Sequence, residues 1–132
     1  MGEYNYRSFV KPDVALQLKG LGFDSVCEYY YLNTREQMSR FPGRWYKFPE
    51  NWNGMASRVS CPTYPETFKW FFEKKMLFAS IRISPLGIFT YEIWKGKPSD
   101  WKMVAFSNTL VHTEIDNIHE DCLNRLIEIA YK

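Results

Sequence analysis

The chain has 132 residues, of which 45% are hydrophobic, 24% charged and 18% aromatic, and its formal net charge is +2 at pH 7. So small a net charge does not indicate a nucleic-acid-binding or membrane-surface protein, because those proteins carry clustered basic residues. The length is typical of one domain, and we therefore predict a single α+β domain over residues 1–132.

The first half of the chain predicts one helix followed by short strands. Pro12 suits the first turn of a helix, and Gly20 is expected to end that helix. Residues 27–33 contain three consecutive tyrosines and favour a strand. Further short strands are predicted over 44–48 and 57–60, on either side of residues rich in proline and glycine.

A second helix is predicted to begin after Thr63. Thr63 and Glu66 have the spacing of a capping box, in which each side chain bonds the backbone amide of the other residue. The helix is expected to end near Lys75. Its predicted apolar face consists of Phe68, Phe71, Phe72 and Met76.

The second half of the chain predicts three strands and a last helix. Alternating apolar residues and short links indicate an antiparallel meander over 79–84, 89–93 and 101–106. A broad apolar stripe predicts a helix over 115–131. The predicted fold is therefore a two-layer α+β fold, with three helices on one face of a mainly antiparallel sheet, in the order α-β-β-(β)-α-β-β-β-α. The other face is expected to be exposed and partly aromatic, and a symmetric homodimer would bury it.

The segment 40–52 carries the strongest indication of a binding site, because cationic and aromatic side chains alternate along it. The candidate binding residues are Arg40, Arg44, Trp45, Tyr46, Lys47 and Trp52. Three interpretations stay open. The segment is a lid whose aromatic residues join the core, a protein interface anchored by Trp, Tyr and Arg, or a site that stacks on a nucleotide.

A second aromatic and basic patch is predicted around the turn between the last two strands. It consists of Trp94, Lys95, Lys97, Trp101 and Lys102. The two tryptophans flank the turn, and we expect them to pair across the strands.

The sequence offers no pattern typical of a catalytic or metal site. His119 and Cys122 are three residues apart, but Cys122 belongs to the apolar stripe of the last helix, and His112 precedes that helix. Cys61 lies just before a helix, where the dipole lowers a thiol pKa, yet no histidine is placed near it. We therefore predict no catalytic residue, no metal and no cofactor.

The predicted compartment is a reducing cytoplasm. The three cysteines are an odd number without a CxxC pair, which is typical of free thiols. The first residues do not resemble a signal peptide, and no apolar run approaches the roughly 20 residues of a membrane span.

Three motifs resemble a group of small uncharacterised proteins encoded by phages and mobile elements of gut bacteria. They are Ala15–Asp24 followed by Cys27, Cys61–Tyr64 leading into Phe68–Phe71, and Cys122–Ile129. The resemblance implies a phage or prophage setting in a host bacterial cell, and it implies no activity.

The expected function is that of a non-enzymatic binding protein. The expected partner is a host protein or a second copy of the chain. The alternative is a binder of a small molecule or nucleotide, and nucleic-acid binding is disfavoured by the small net charge.

Overall fold

The computed structural model describes residues 9–33, 38–42, 51–54, 57–107 and 115–131. Within these ranges the predicted α+β class and element order are confirmed. The helices are α1 (Pro12–Gly20), α2 (Tyr64–Lys75) and α3 (Ile115–Tyr131). The strands are β1 (Tyr29–Asn33), β2 (Met38–Pro42), β3 (Arg58–Ser60), β4 (Leu77–Ile83), β5 (Phe89–Lys95) and β6 (Lys102–Phe106).

The six strands form two separate antiparallel sheets. The order is β2-β1-β3 in the first sheet and β4-β5-β6 in the second. The described residues fall into two compact units, which cover residues 9–66 and 67–131. Each unit contains one of these sheets, whereas the sequence predicted a single sheet. The single domain over 1–132 stays a prediction.

Strand β2 is an element that the sequence did not predict. Residues 34–55 contain several prolines and glycines, yet β2 pairs with β1 along its whole length, from Asn33 opposite Met38 to Tyr29 opposite Pro42. Pro42 is compatible with this strand because β2 lies at the edge of its sheet, where a missing backbone donor is tolerated. The strand predicted over 44–48 lies outside the described residues, and the one predicted over 57–60 is confirmed as β3.

The stop of helix α1 is at Gly22, so the prediction of Gly20 is wrong. The amide of Phe23 donates to the carbonyl of Leu18 at 3.0 Å, and the amide of Gly22 donates to that of Lys19 at 3.0 Å. These are the two hydrogen bonds of a Schellman motif. Gly22 has a φ of 94°, which favours glycine, whereas Gly20 still belongs to the helix.

The predicted capping box at the start of α2 is confirmed. The amide of Thr63 donates to Oε1 of Glu66 at 2.8 Å, and the amide of Glu66 donates to Oγ1 of Thr63 at 3.3 Å. The two side chains also bond each other at 3.1 Å. Both amides at the helix start are therefore satisfied within one turn.

The buried face of α2 differs from the predicted one. The residues that it buries are Tyr64, Thr67, Trp70 and Phe71. Of the predicted stripe only Phe71 is fully buried, whereas the exposed fraction is 43% for Phe72 and 50% for Met76. Aromatic residues occur on every side of this helix, so hydrophobicity alone does not define its inward face.

Helix α3 packs against β4 and β5 and covers one face of the second sheet. Its fully buried residues follow the predicted stripe and are Ile118, Cys122, Leu123, Leu126 and Ile127. On the sheet, Tyr91 and Ile93 of β5 are buried, as their alternation predicts.

A tight turn after β5 depends on Gly96. Its φ is 120°, and its amide donates to the carbonyl of Met76 at 3.1 Å. A Cβ atom at this position would lie 2.6 Å from the backbone oxygen of Asp100. Gly96 is thus constrained both by its backbone conformation and by the close approach of the following turn.

We predict that Gly96→Ala destabilises the protein more than Gly22→Ala. Both positions have positive φ, which costs an alanine about 1–2 kcal/mol. Only Gly96 adds a steric clash, since no atom lies within 4 Å of a Cβ at Gly22. Urea unfolding of the two variants measures the difference, and equal losses of unfolding free energy would contradict the close contact.

Candidate functional site

Trp52, one of the predicted binding residues, is a core residue of the first unit. Its ring is fully buried, and its Nε1 donates to the carbonyl of Cys27 at 2.7 Å. Tyr30 packs against it with ring centroids 4.8 Å apart, and the Arg58 guanidinium lies 5.6 Å from its ring centroid. A ring enclosed in this way offers no face to a ligand. For Trp52 the structure therefore favours the core interpretation over a binding role.

The other predicted binding residues lie outside the described side chains. The backbone of Arg40 is part of β2 and pairs with Tyr31. Arg44, Trp45, Tyr46 and Lys47 fall between the described residues. Their binding role stays a prediction.

The strand register defines an open face on the second sheet, opposite the face that α3 covers. Residues directly opposite each other in an antiparallel sheet point to the same side. Phe78, Trp94 and Met103 form one such cross-strand row, and Ser80, Glu92 and Phe106 form the next. Arg82 and Thr90 form a third row on β4 and β5. We call these eight residues the open sheet face.

The exposed apolar side chains in this region are large. The exposed fraction is 58% for Phe106, 43% for Met103 and 41% for the neighbouring Val104. Phe78 and Trp94 are half-buried. Single exposed apolar residues are normal on a protein surface, but a contiguous group of this kind is typical of an interaction site.

An aromatic cluster of Phe72, Phe78 and Trp101 lies at one end of the open sheet face. Phe78 and Trp101 are stacked, with centroids 5.0 Å apart and an interplanar angle of 19°. Phe72 of α2 contacts both rings edge-on, at 5.9 Å from Phe78 and 6.3 Å from Trp101. These contacts fix the orientation of three large rings without burying them completely.

The predicted pairing of Trp94 with Trp101 is wrong. Trp94 is opposite Met103, because the register between β5 and β6 shifts between Ile93 and Trp94. Trp101 precedes β6 and stacks on Phe78 instead. Lys95 and Lys102 of the predicted patch do not share the side of Trp94, since they pair with each other one position further along.

Two opposite charges lie on the open sheet face. Nη2 of Arg82 is 3.4 Å from Oε1 of Glu92, and the side chains are 66% and 24% exposed, respectively. The same Oε1 atom is buried and accepts no hydrogen bond from the described residues. Because the Arg82 side chain is largely exposed, the pair contributes little to stability, and its guanidinium retains donors for further polar contacts.

The three cysteines are free and buried. Burial raises the pKa of the Cys27 thiol, and the nearby Glu66 carboxylate and Cys61 add to the shift. Burial likewise raises the pKa of Cys122, with a smaller contribution from Asp121. Cys61 is only 1% exposed, which matches the interpretation of a buried structural thiol rather than a nucleophile.

Within the described ranges, no group of three or more His, Cys, Asp and Glu side chains is arranged to hold a metal ion. The imidazole of His119 lies edge-on to Phe68, with ring centroids 5.7 Å apart. Cys122, which is three residues from His119 and was considered with it as a metal ligand, is fully buried in the apolar stripe of α3. In the part of the chain that is described, none of the helices has the length and apolarity to cross a membrane.

Comparison with known proteins gives no assignment, because no family model, curated protein or solved structure matches the chain significantly. The resemblance to phage-encoded proteins therefore stays a prediction. The open sheet face is the candidate site that the described residues provide. Its signal in the sequence is the presence of large apolar residues in both alternating sets of β6, Met103 in one and Phe106 in the other.

We predict that the native thiols resist alkylation at pH 8. Only the thiolate reacts, and burial both restricts access and, for Cys27 and Cys122, raises the pKa. Mass spectrometry after iodoacetamide treatment should find no rapid labelling of the native protein and three labels in urea. Rapid native labelling of Cys61 would instead support its alternative role as a nucleophile.

Proposed function

We propose that the protein is a non-enzymatic protein-binding module and that the open sheet face is its contact surface. The observation that carries the proposal is the exposure of Phe106, Met103 and Phe72 beside the half-buried Phe78 and Trp94. Large aromatic and methionine side chains are enriched where proteins bind proteins. Water leaves this apolar surface when a partner covers it, and that release favours binding.

The charge on the open sheet face supports a protein rather than a nucleic acid as the partner. Of its eight residues only Arg82 is cationic, and Glu92 lies beside it. A nucleic acid or nucleotide needs several cationic contacts to its phosphates. The alternative of a nucleotide binder depends on the 40–52 segment, of which Trp52 is already part of the core.

The proposed partner is a host protein in a bacterial cytoplasm. The phage resemblance of the three sequence motifs supports the host, and the three free, buried thiols are consistent with a reducing compartment. A protein of this kind acts by occupying or covering a surface of its target, and its own residues need only bind.

The test is capture from bacterial lysate with a face variant and two comparison variants. Met103→Ser combined with Phe106→Ser removes two exposed apolar side chains, so it should preserve the fold and weaken capture roughly tenfold or more. Val26→Ser is the matched control, because Val26 is 60% exposed and belongs to the first unit. It should capture the same protein as the natural chain.

The third variant, Arg44→Ala combined with Trp45→Ala, tests the predicted segment separately. Loss of capture in this variant alone would move the contact surface to residues 40–52 and contradict the proposal. Equal capture by the natural chain and the face variant would also overturn it. Quantitative mass spectrometry of the captured protein measures each outcome.

A further inference from the structure

We infer that the open sheet face also joins two copies of this chain in a symmetric dimer, in which Arg82 of each copy contacts Glu92 of the other. The inference rests on the proposed function in one respect, since both need this face to bind protein. It specifies what binds the open sheet face when no other partner is present, namely a second copy of this chain.

The first argument is the order of features along the open sheet face. The aromatic cluster lies at the end where β4 begins and β5 finishes, and the pair of Arg82 and Glu92 follows towards the opposite end. Beyond the pair, the turn between β4 and β5 presents Leu86, which is 84% exposed. Apolar groups thus lie on both sides of a central charged pair.

A two-fold axis through that charged pair gives a self-complementary contact. A symmetric dimer uses the same patch on both subunits, so each group must fit the group that the half-turn brings to it. The half-turn exchanges the two ends of the face and places the Leu86 turn of one copy over the aromatic cluster of the other. It also places Arg82 of one copy against the carboxylate of the partner's Glu92.

The charges themselves are the second argument. The face carries one cation and one anion, so two copies attract each other in this orientation and neither charge is left without an opposite neighbour. The guanidinium of Arg82 has five N–H donors and is mostly exposed, so it can contact two carboxylates at once. The Glu92 side chain is 24% exposed, and this exposed part is what the guanidinium of the second copy would contact.

The size of the face indicates a weak dimer. A strand of seven residues, such as β4, extends about 23 Å, and three strands are about 10 Å wide between the outer two. This footprint of roughly 230 Å² per copy is below the roughly 800 Å² per partner of a standard interface, which places the dimer among weak, transient contacts. We therefore expect dissociation at roughly 100 μM, with a monomer at high dilution.

The test uses charge reversal and mixing, measured by sedimentation equilibrium from about 1 to 500 μM, which spans the affinity expected of a small interface. Arg82→Glu alone and Glu92→Arg alone each place like charges against each other twice per dimer, and each should weaken dimerisation at least about tenfold. An equimolar mixture of the two variants restores opposite charges at both contacts. The mixture should therefore dimerise as the natural chain does.

Mixing separates the contact between copies from the pair within one copy. Each reversal also creates like charges inside its own chain, and mixing cannot relieve that repulsion, so recovery reports a contact between chains. Arg125→Glu is the matched control, because it reverses an exposed cation that pairs with Glu128 on α3, away from this face. This variant should remain a dimer, and circular dichroism should confirm that all the variants are folded.

Two results would overturn the dimer. They are a natural chain that stays monomeric at every concentration, and a mixture that stays as monomeric as its components. Either result leaves the proposed function intact if Met103→Ser with Phe106→Ser still abolishes capture of a host protein. Conversely, a dimer that recovers on mixing while no host protein is captured would support the dimer and contradict the host partner.

Discussion

Helix α3 covers one face of the second sheet, and the opposite face is partly apolar. Helix α3 buries its stripe against β4 and β5 and thereby covers Tyr91, Ile93 and Ala105. An antiparallel sheet in a soluble protein usually pairs a buried face with a polar one. Here the second face carries aromatic side chains and Met103, so burying one face leaves the other in contact with water. Both proposals follow from this imbalance.

The aromatic surplus of the sequence has two different structural uses. In the first unit, Trp52 is enclosed by Tyr30 and Arg58 and is bonded to the backbone at Cys27, so its ring supports the core. At the open sheet face, Phe78 and Trp101 stack while retaining exposure. Stacked rings lose little conformational entropy when a partner covers them, because their rotamers are already restricted. Composition alone does not distinguish the two uses, whereas the hydrogen bond of the Trp52 Nε1 atom does.

Local signals made the helices and most strands predictable from the sequence. Thr63 and Glu66 satisfy each other within one turn, so no distant residue is needed to place that helix start. Strand β2 depends on pairing with β1, a non-local contact that outweighs the local effect of Pro42. The inward face of α2 was mispredicted for a related reason, since tertiary packing selects Thr67 and Trp70 over the more hydrophobic Phe72.

The candidate site was only partly predictable because a register shift determines its composition. Strict alternation from Ala105, which lies on the face covered by α3, would place Met103 on that same face. The irregularity between Ile93 and Trp94 places Met103 opposite Trp94 instead, and a bulge of this kind reverses the side to which the following residues point. The reversal adds Met103 to the row of Phe78 and Trp94. Phe106 of β6 lies on the same face independently of the bulge, so the extra residue changes which apolar side chain of β6 lies opposite Trp94, from Val104 to Met103.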